Sequence, residues 1–188
     1  MFRLLTRIQR NHALEHATLN LAGQRHPGAQ LVGVSGPLGF TVFTSLTVQE
    51  IVPAAMDALK RLQAGESALR IHHNCGTNLV VTAGLTTLAT LIGARGTEAA
   101  PWRKKLERLP YLILLNVFAL LAAPSLGEWI QAHVTTAPDL TGIEIASVLT
   151  DHYNGLHRIR VRTRPSVRTR PSARTQQDAP SQNIPVRP

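Results

Sequence analysis

Cysteine is almost missing from this sequence: Cys75 is the only one in 188 residues, so no disulfide within the chain can staple the fold. Acidic residues are also few, 11 against 20 Lys+Arg, and aromatic residues make up only 4%. The shortage of acids is not spread evenly. Residues 157–188 carry eight Arg and one acid, or +7 of the formal net charge of +9, which leaves the rest of the chain near neutrality. Inside that stretch Val161-Arg162-Thr163-Arg164-Pro165-Ser166 repeats as Val167-Arg168-Thr169-Arg170-Pro171-Ser172. Such Arg/Pro/Ser composition cannot bury enough apolar surface to order itself, so residues 163–188 are expected to form a disordered basic tail. No aromatic residue accompanies these charges, and nucleic acid is therefore not expected as a partner. Contact with anionic lipid headgroups by charge alone remains open to a tail of this kind.

What the chain does have is apolar residues, 44% in all, enough for a core and enough to exclude general disorder. They concentrate in two runs without a charge, Thr77 to Ala94 and Leu109 to Leu126. At 1.5 Å per residue, about 18 residues of helix approach the thickness of a bilayer core, so residues 77–126 read as a transmembrane helical hairpin. Thr77, Thr82, Thr86, Thr87 and Thr90 make the first span polar, but hydroxyls can bond to carbonyls within the helix or face a neighbouring helix. The linker Trp102-Arg103-Lys104-Lys105, with Tyr111 after it, resembles an interfacial anchor. Orientation is pulled both ways. Five Lys/Arg between the spans favour a cytoplasmic linker, whereas the lack of a secretory signal in residues 1–76 favours an inside first domain. The reading adopted is a multi-pass protein of the cell membrane with both termini cytoplasmic.

Residues 1–76 divide by period and punctuation. Leu4, Leu5, Ile8, Leu14, Ala17, Leu21 and Ala22 recur at helical spacing over residues 2–23. Leu31–Ser35 and Phe40–Leu46 are β-rich runs separated by Gly36-Pro37-Leu38-Gly39, a strand pair with a tight loop. Thr47-Val48-Gln49-Glu50 is a capping-box pattern that opens a helix to about Gln63. Ala68–His72 reads as a third strand leading into Asn74-Cys75-Gly76-Thr77, for an α-β-β-α-β order overall. Beyond the hairpin, in residues 127–162, Thr141–Thr150 suggests a short helix. His157–Arg162 alternates like an edge strand that could return to the first sheet.

Chemistry is concentrated at two places. His12-Ala13-Leu14-Glu15-His16 is an H-x-x-E-H pattern, which on a helix puts both imidazoles one turn apart on one face, where they can clasp a divalent ion. Glu15 beside them is placed to act as general base on a metal-bound water. A thiolate at Cys75 is the natural soft third ligand for Zn2+ or Fe2+, and His, His and Cys together leave a coordination position open, as in catalytic sites. His72 and His73 are spare candidates, of which a strand would direct only one to the site. His133, His152 and His157 share no metal-ligand spacing and read as ordinary polar residues.

Those motifs carry a resemblance. His12–His16, Gly33-Val34-Ser35-Gly36-Pro37-Leu38-Gly39-Phe40-Thr41 and Asn74-Cys75-Gly76-Thr77 are similar in order and approximate spacing to the core of the LuxS family, the S-ribosylhomocysteine lyases. The resemblance covers residues 11–77. It implies an α+β domain of LuxS/pitrilysin type, with His12, His16 and Cys75 as metal ligands, Glu15 as neighbouring acid/base, and a homodimer. The chain also resembles uncharacterised bacterial membrane proteins with an HALEHAT helix, an NCGTN turn and a hydrophobic hairpin. LuxS proteins carry a second cysteine in the loop corresponding to Leu38-Gly39, and this sequence has none there, so lyase activity is not expected. Pitrilysin-type peptidases add a distant glutamate ligand, for which only Glu128 and Glu144 stand beyond the hairpin. The function expected is a membrane-anchored metal-binding protein, with hydrolysis as its chemistry and no substrate named. The alternative is a non-catalytic membrane interaction module with a structural metal or none.

Overall fold

The computed structural model describes residues 2–96 and 101–166. The N-terminal apolar period folds as α1 (Phe2–Arg25), which buries Ala13, Leu14, Ala17, Leu21 and Ala22 along one side. The two β-rich runs form β1 (Leu31–Gly36) and β2 (Gly39–Thr44), paired antiparallel from Leu31 opposite Thr44 to Gly36 opposite Gly39. Gly39 closes that turn at φ +143°, and a Cβ there would lie 2.0 Å from the carbonyl oxygen of Val161, so a side chain cannot be accommodated. The capping box forms as read: the Thr47 amide donates to Glu50 Oε2 at 2.8 Å and starts α2 (Val48–Gln63). Pro53, the sixth residue of α2, lies inside the helix and offers no amide to the Gln49 carbonyl, yet the helix continues past it.

The third expected strand does not form. Ser67–Arg70 make a 3-10 turn, and the backbone around it is held by side chains in place of a ladder. Asn20 donates to the carbonyls of Leu69 and Ile71 at 3.0 and 2.8 Å, and the His72 amide donates to Gln131 Oε1 at 2.9 Å. The sheet is completed from the other side of the hairpin by β3 (Ile143–Tyr153) and β4 (Leu156–Pro165), giving the antiparallel order β1-β2-β4-β3. The short helix expected over residues 141–150 is therefore replaced by β3, because its β-branched residues find a partner: Val148 stands opposite Val161 and Thr150 opposite Ile159. The strand expected over residues 157–162 does extend the first sheet, as an inner strand and not an edge. It also runs to Pro165, so the tail boundary at 163 is corrected to follow it; residues 167–188 lie outside the described residues.

Phe40, Val42, Ile159 and Val161 point from the middle of the sheet onto α1 and α2, where Leu14, Ile51, Ala54, Ala58 and Leu62 close the core. Ile51 is fully buried at the start of α2. Ile51→Ala is expected to cost about 2–5 kcal/mol, read as a lowered denaturation midpoint; a loss below about 0.5 kcal/mol would mean that α2 does not pack on the sheet.

The apolar runs form α3 (Gly76–Ala94) and α5 (Leu109–Ile130), joined past the short α4 (Trp102–Glu107). Both are long and apolar enough to cross a membrane. They pack antiparallel with close approach at glycines: Gly93 lies against Leu112 and Leu115, and Gly127 against Asn78. Thr82, Thr86 and Thr90 each donate to the carbonyl four residues back at 2.8–2.9 Å, which satisfies the hydroxyls within α3.

Candidate metal centre

The H-x-x-E-H residues sit in mid-α1, so His12 and His16 lie one turn apart, edge to face, with ring centroids 4.2 Å from each other. Each ring is oriented by a backbone carbonyl at an irregular turn. His12 Nδ1 donates to Thr135 O at 3.0 Å, where α5 ends in a π-turn (Gln131–Thr135). His16 Nδ1 donates to Arg70 O at 2.6 Å, at the end of the 3-10 turn. A carbonyl can only accept, so Nδ1 carries a proton in each ring, and Nε2 is the nitrogen left to face Cys75. This pattern of an outer carbonyl fixing the tautomer is characteristic of metal-ligating histidines. His12 Nε2 lies 3.5 Å from Cys75 Sγ, and His16 Nε2 is buried without any hydrogen-bond partner.

Cys75 reaches the imidazoles because it is the N-cap of α3: its sulfur accepts from the Thr77 amide at 3.4 Å. Burial opposes its ionisation, yet the imidazole of His16 and the hydroxyl and amide of Thr77 favour the thiolate and hold the thiol below its ordinary range. One ligand atom from each of His12, His16 and Cys75 lies within 4.8 Å of the others, a spread that a single cation with ~2.0–2.3 Å bonds can draw together. The orphaned Nε2 and the thiolate-favouring sulfur fit zinc or ferrous iron better than a hard cation.

Glu15 lies beside this group, 4% exposed, where burial raises its pKa against the opposing effects of Ser35 and His12. The Ser35 hydroxyl on β1 donates to Glu15 Oε2. Gly33 leaves the room: a Cβ there would fall 2.1 Å from Glu15 Oε1. A cleft of about 440 Å³ opens over these groups, walled by Leu31, Val32 and Gly33 of β1, by Leu19, and by Asn74 and Leu79 at the head of α3.

Of the spare histidines, His72 lines this cleft with its Nδ1 donating to Asn20 Oδ1 at 2.7 Å; burial, then the neighbouring His16 and His73, lower its pKa to about 4. His73 points outward and pairs with Glu128 at 2.9 Å. Glu144 pairs with Arg164, so neither candidate glutamate beyond the hairpin joins the group. His133 stacks on Trp129, and His152 and His157 adjoin each other on β3 and β4, away from the ligand group. The residues that sequence reasoning missed are Ser35, Gly33, Asn20, Asn78 and Gln131. Gln131 is fully buried and bridges the His72 amide to Asn78 Oδ1, tying the end of α5 to the head of α3 beside Cys75. Gly33, Ser35 and Asn78 stand inside the stretches quoted for the resemblances but had no role assigned there, whereas Asn20 and Gln131 belong to no local motif.

No solved structure matches this chain. An uncharacterized protein of Picosynechococcus sp. is 36% identical over 174 residues, covering 85% of this chain and 82% of the relative. The profile of a family described as a domain of unknown function, DUF6391, matches residues 7–148, a span that holds most of α1, both candidate histidines, Cys75 and the whole hairpin, and the chain belongs to that family.

Proposed function

We propose that this chain is a membrane-anchored, divalent-metal-binding protein, with hydrolysis as the chemistry of its His12/His16/Cys75 site and Zn2+ (or Fe2+) as its ion. The observation that carries the reading is His16 Nε2, buried, unpartnered, and sharing a 4.8 Å group with His12 and Cys75. A buried acceptor without a donor costs about 1–3 kcal/mol, and ligation removes that cost. The α-β-β-α order around H-x-x-E-H agrees with a LuxS-like core, while the missing loop cysteine at Leu38-Gly39 keeps lyase chemistry out of the proposal.

A bound divalent ion would supply Lewis acidity and a water of lowered pKa. Glu15 would be the proton acceptor beside such an ion, and its raised pKa makes it a stronger base than a solvated carboxylate. Ser35 holds one carboxylate oxygen and so fixes which oxygen is free to act. Leu19, buried, and Leu31 give the cleft an apolar wall beside these groups.

Outward apolar side chains support placing α3 and α5 in lipid: Leu79 and Leu121 are 74% and 71% exposed. Because strands from both sides of the hairpin share one sheet, residues before and after it lie on one side of the membrane, which we take as the cytoplasmic side.

The bonds from His12 Nδ1 to Thr135 O and from the Gln9 side chain to Val134 O favour a second reading, in which the ion only fastens α1 to the membrane hairpin. Glu15→Gln separates the two. Under the catalytic reading it keeps the metal and lowers hydrolysis of a responsive ester or amide probe by about 100-fold or more. Unchanged turnover with full metal content would rule out Glu15 as the base.

A further inference from the structure

A second site lies on the same helix, one turn before the histidines. Arg7, Arg10 and Arg164 converge on a small recess of about 60 Å³ between α1, the start of β3 and the end of β4, with Asn11 and Thr163 in its wall. The recess suits an ion more than an organic ligand. Arg10 keeps its Nε buried without a hydrogen-bond partner and meets Asp139 only at 3.7 Å, too long for a hydrogen bond. Arg164 is paired with Glu144, and Arg7 lines the recess from an exposed position. Asn11 and Thr163 are already committed to each other and to the Gly36 carbonyl, at 2.6 and 2.7 Å, so they shape the wall without neutralising the arginines.

The position adds a second argument. The Gln9 side chain donates to Val134 O at 2.8 Å, and the Ala137 amide donates to Gln9 O at 3.1 Å, so the recess lies within a turn of α1 from the place where the second apolar helix ends. Trp129, 54% exposed, marks that end with an interfacial type of side chain. We infer that Arg7, Arg10 and Arg164 form a binding site for a phosphate-type oxyanion. Guanidinium groups match such an anion in geometry as well as in charge, and a buried Nε–H finds in it the acceptor it lacks. The same chemistry is offered by a lipid phosphodiester at headgroup depth and by free phosphate, and the test tells them apart.

The full chain in detergent is titrated with inorganic phosphate by calorimetry, and its retention of phosphatidylglycerol against phosphatidylcholine is read by native mass spectrometry. Saturable binding of either ligand that weakens by about tenfold or more in Arg7→Gln/Arg10→Gln, with unchanged metal content and thermal midpoint, supports the site. Selective retention of phosphatidylglycerol assigns the anion to a lipid; phosphate binding without lipid selectivity assigns it to the free ion. The inference is overturned if neither ligand binds, or if the double variant binds as tightly as the wild type. It is equally overturned if Arg103→Gln/Lys104→Gln, in the loop between the spans, loses as much affinity, since that would reduce the effect to overall charge. None of these results depends on whether the His/His/Cys site holds a metal.

Discussion

His16→Ala is expected to reduce metal content from about one equivalent to less than a tenth, and to abolish the drop in thermal midpoint that a chelator produces in the wild type. The ring removed has no exposed atom to spare: it is 1% accessible, with one nitrogen on the Arg70 carbonyl and the other facing His12 and Cys75. Losing one of three protein ligands leaves a two-ligand site that competes poorly with water and buffer. An ion present at about 100 times its Kd stabilises the folded state by about 2.7 kcal/mol, so the chelator-dependent shift should be measurable and should disappear in the variant. Truncating a buried ring also costs packing. Cys75→Ser is therefore measured beside it, a nearly isosteric change that removes the sulfur while an oxygen can still accept from the Thr77 amide. Full metal occupancy in both variants would sink the proposed centre.

Ile159→Asp is expected to abolish the folded domain, leaving no protease-resistant core and no cooperative melting transition. Ile159 is fully buried on β4 between Val42 and Thr150, and a carboxylate there has neither water nor a cation within the sheet's inner face. Burying it unpaired costs several kcal/mol, a large part of the about 5–15 kcal/mol that holds a domain together. Arg162→Gln, three residues on, is the control. That side chain stands on the outer face of the same strand and is exposed, so the substitution should change stability by less than about 0.5 kcal/mol. Tolerance of Ile159→Asp would mean that the segment after the hairpin is not part of the sheet.

Both results bear on how far the sequence could be read. Helix α1, the β1–β2 pair, α2 and the two apolar helices follow from local signals: helical spacing of leucine and alanine, the Gly-Pro-Leu-Gly turn, the Thr47/Glu50 capping box and charge-free runs. Residues 68–72 carry a strand composition too, but composition cannot foresee that Asn20 and Gln131, some 50–60 residues away, will occupy the backbone groups a strand would have used. Residues 141–150 failed for the converse reason. Their β-branched side chains are neutral until a partner strand is present, and that partner, β4, follows them in the chain.

The sequence by itself determined that His12 and His16 share a helical face with Glu15 beside them, because 3.6 residues per turn fixes that geometry wherever the helix forms. It determined likewise that two helices would be long and apolar enough to cross a membrane. Only the tertiary structure decided that Cys75, 63 residues from His12, caps α3 at the imidazoles, and that Arg70 and Thr135 supply the carbonyls which turn both rings toward it. Convergence over such separations depends on how the sheet closes across the hairpin, a property of all the packed elements together and of no single stretch of residues.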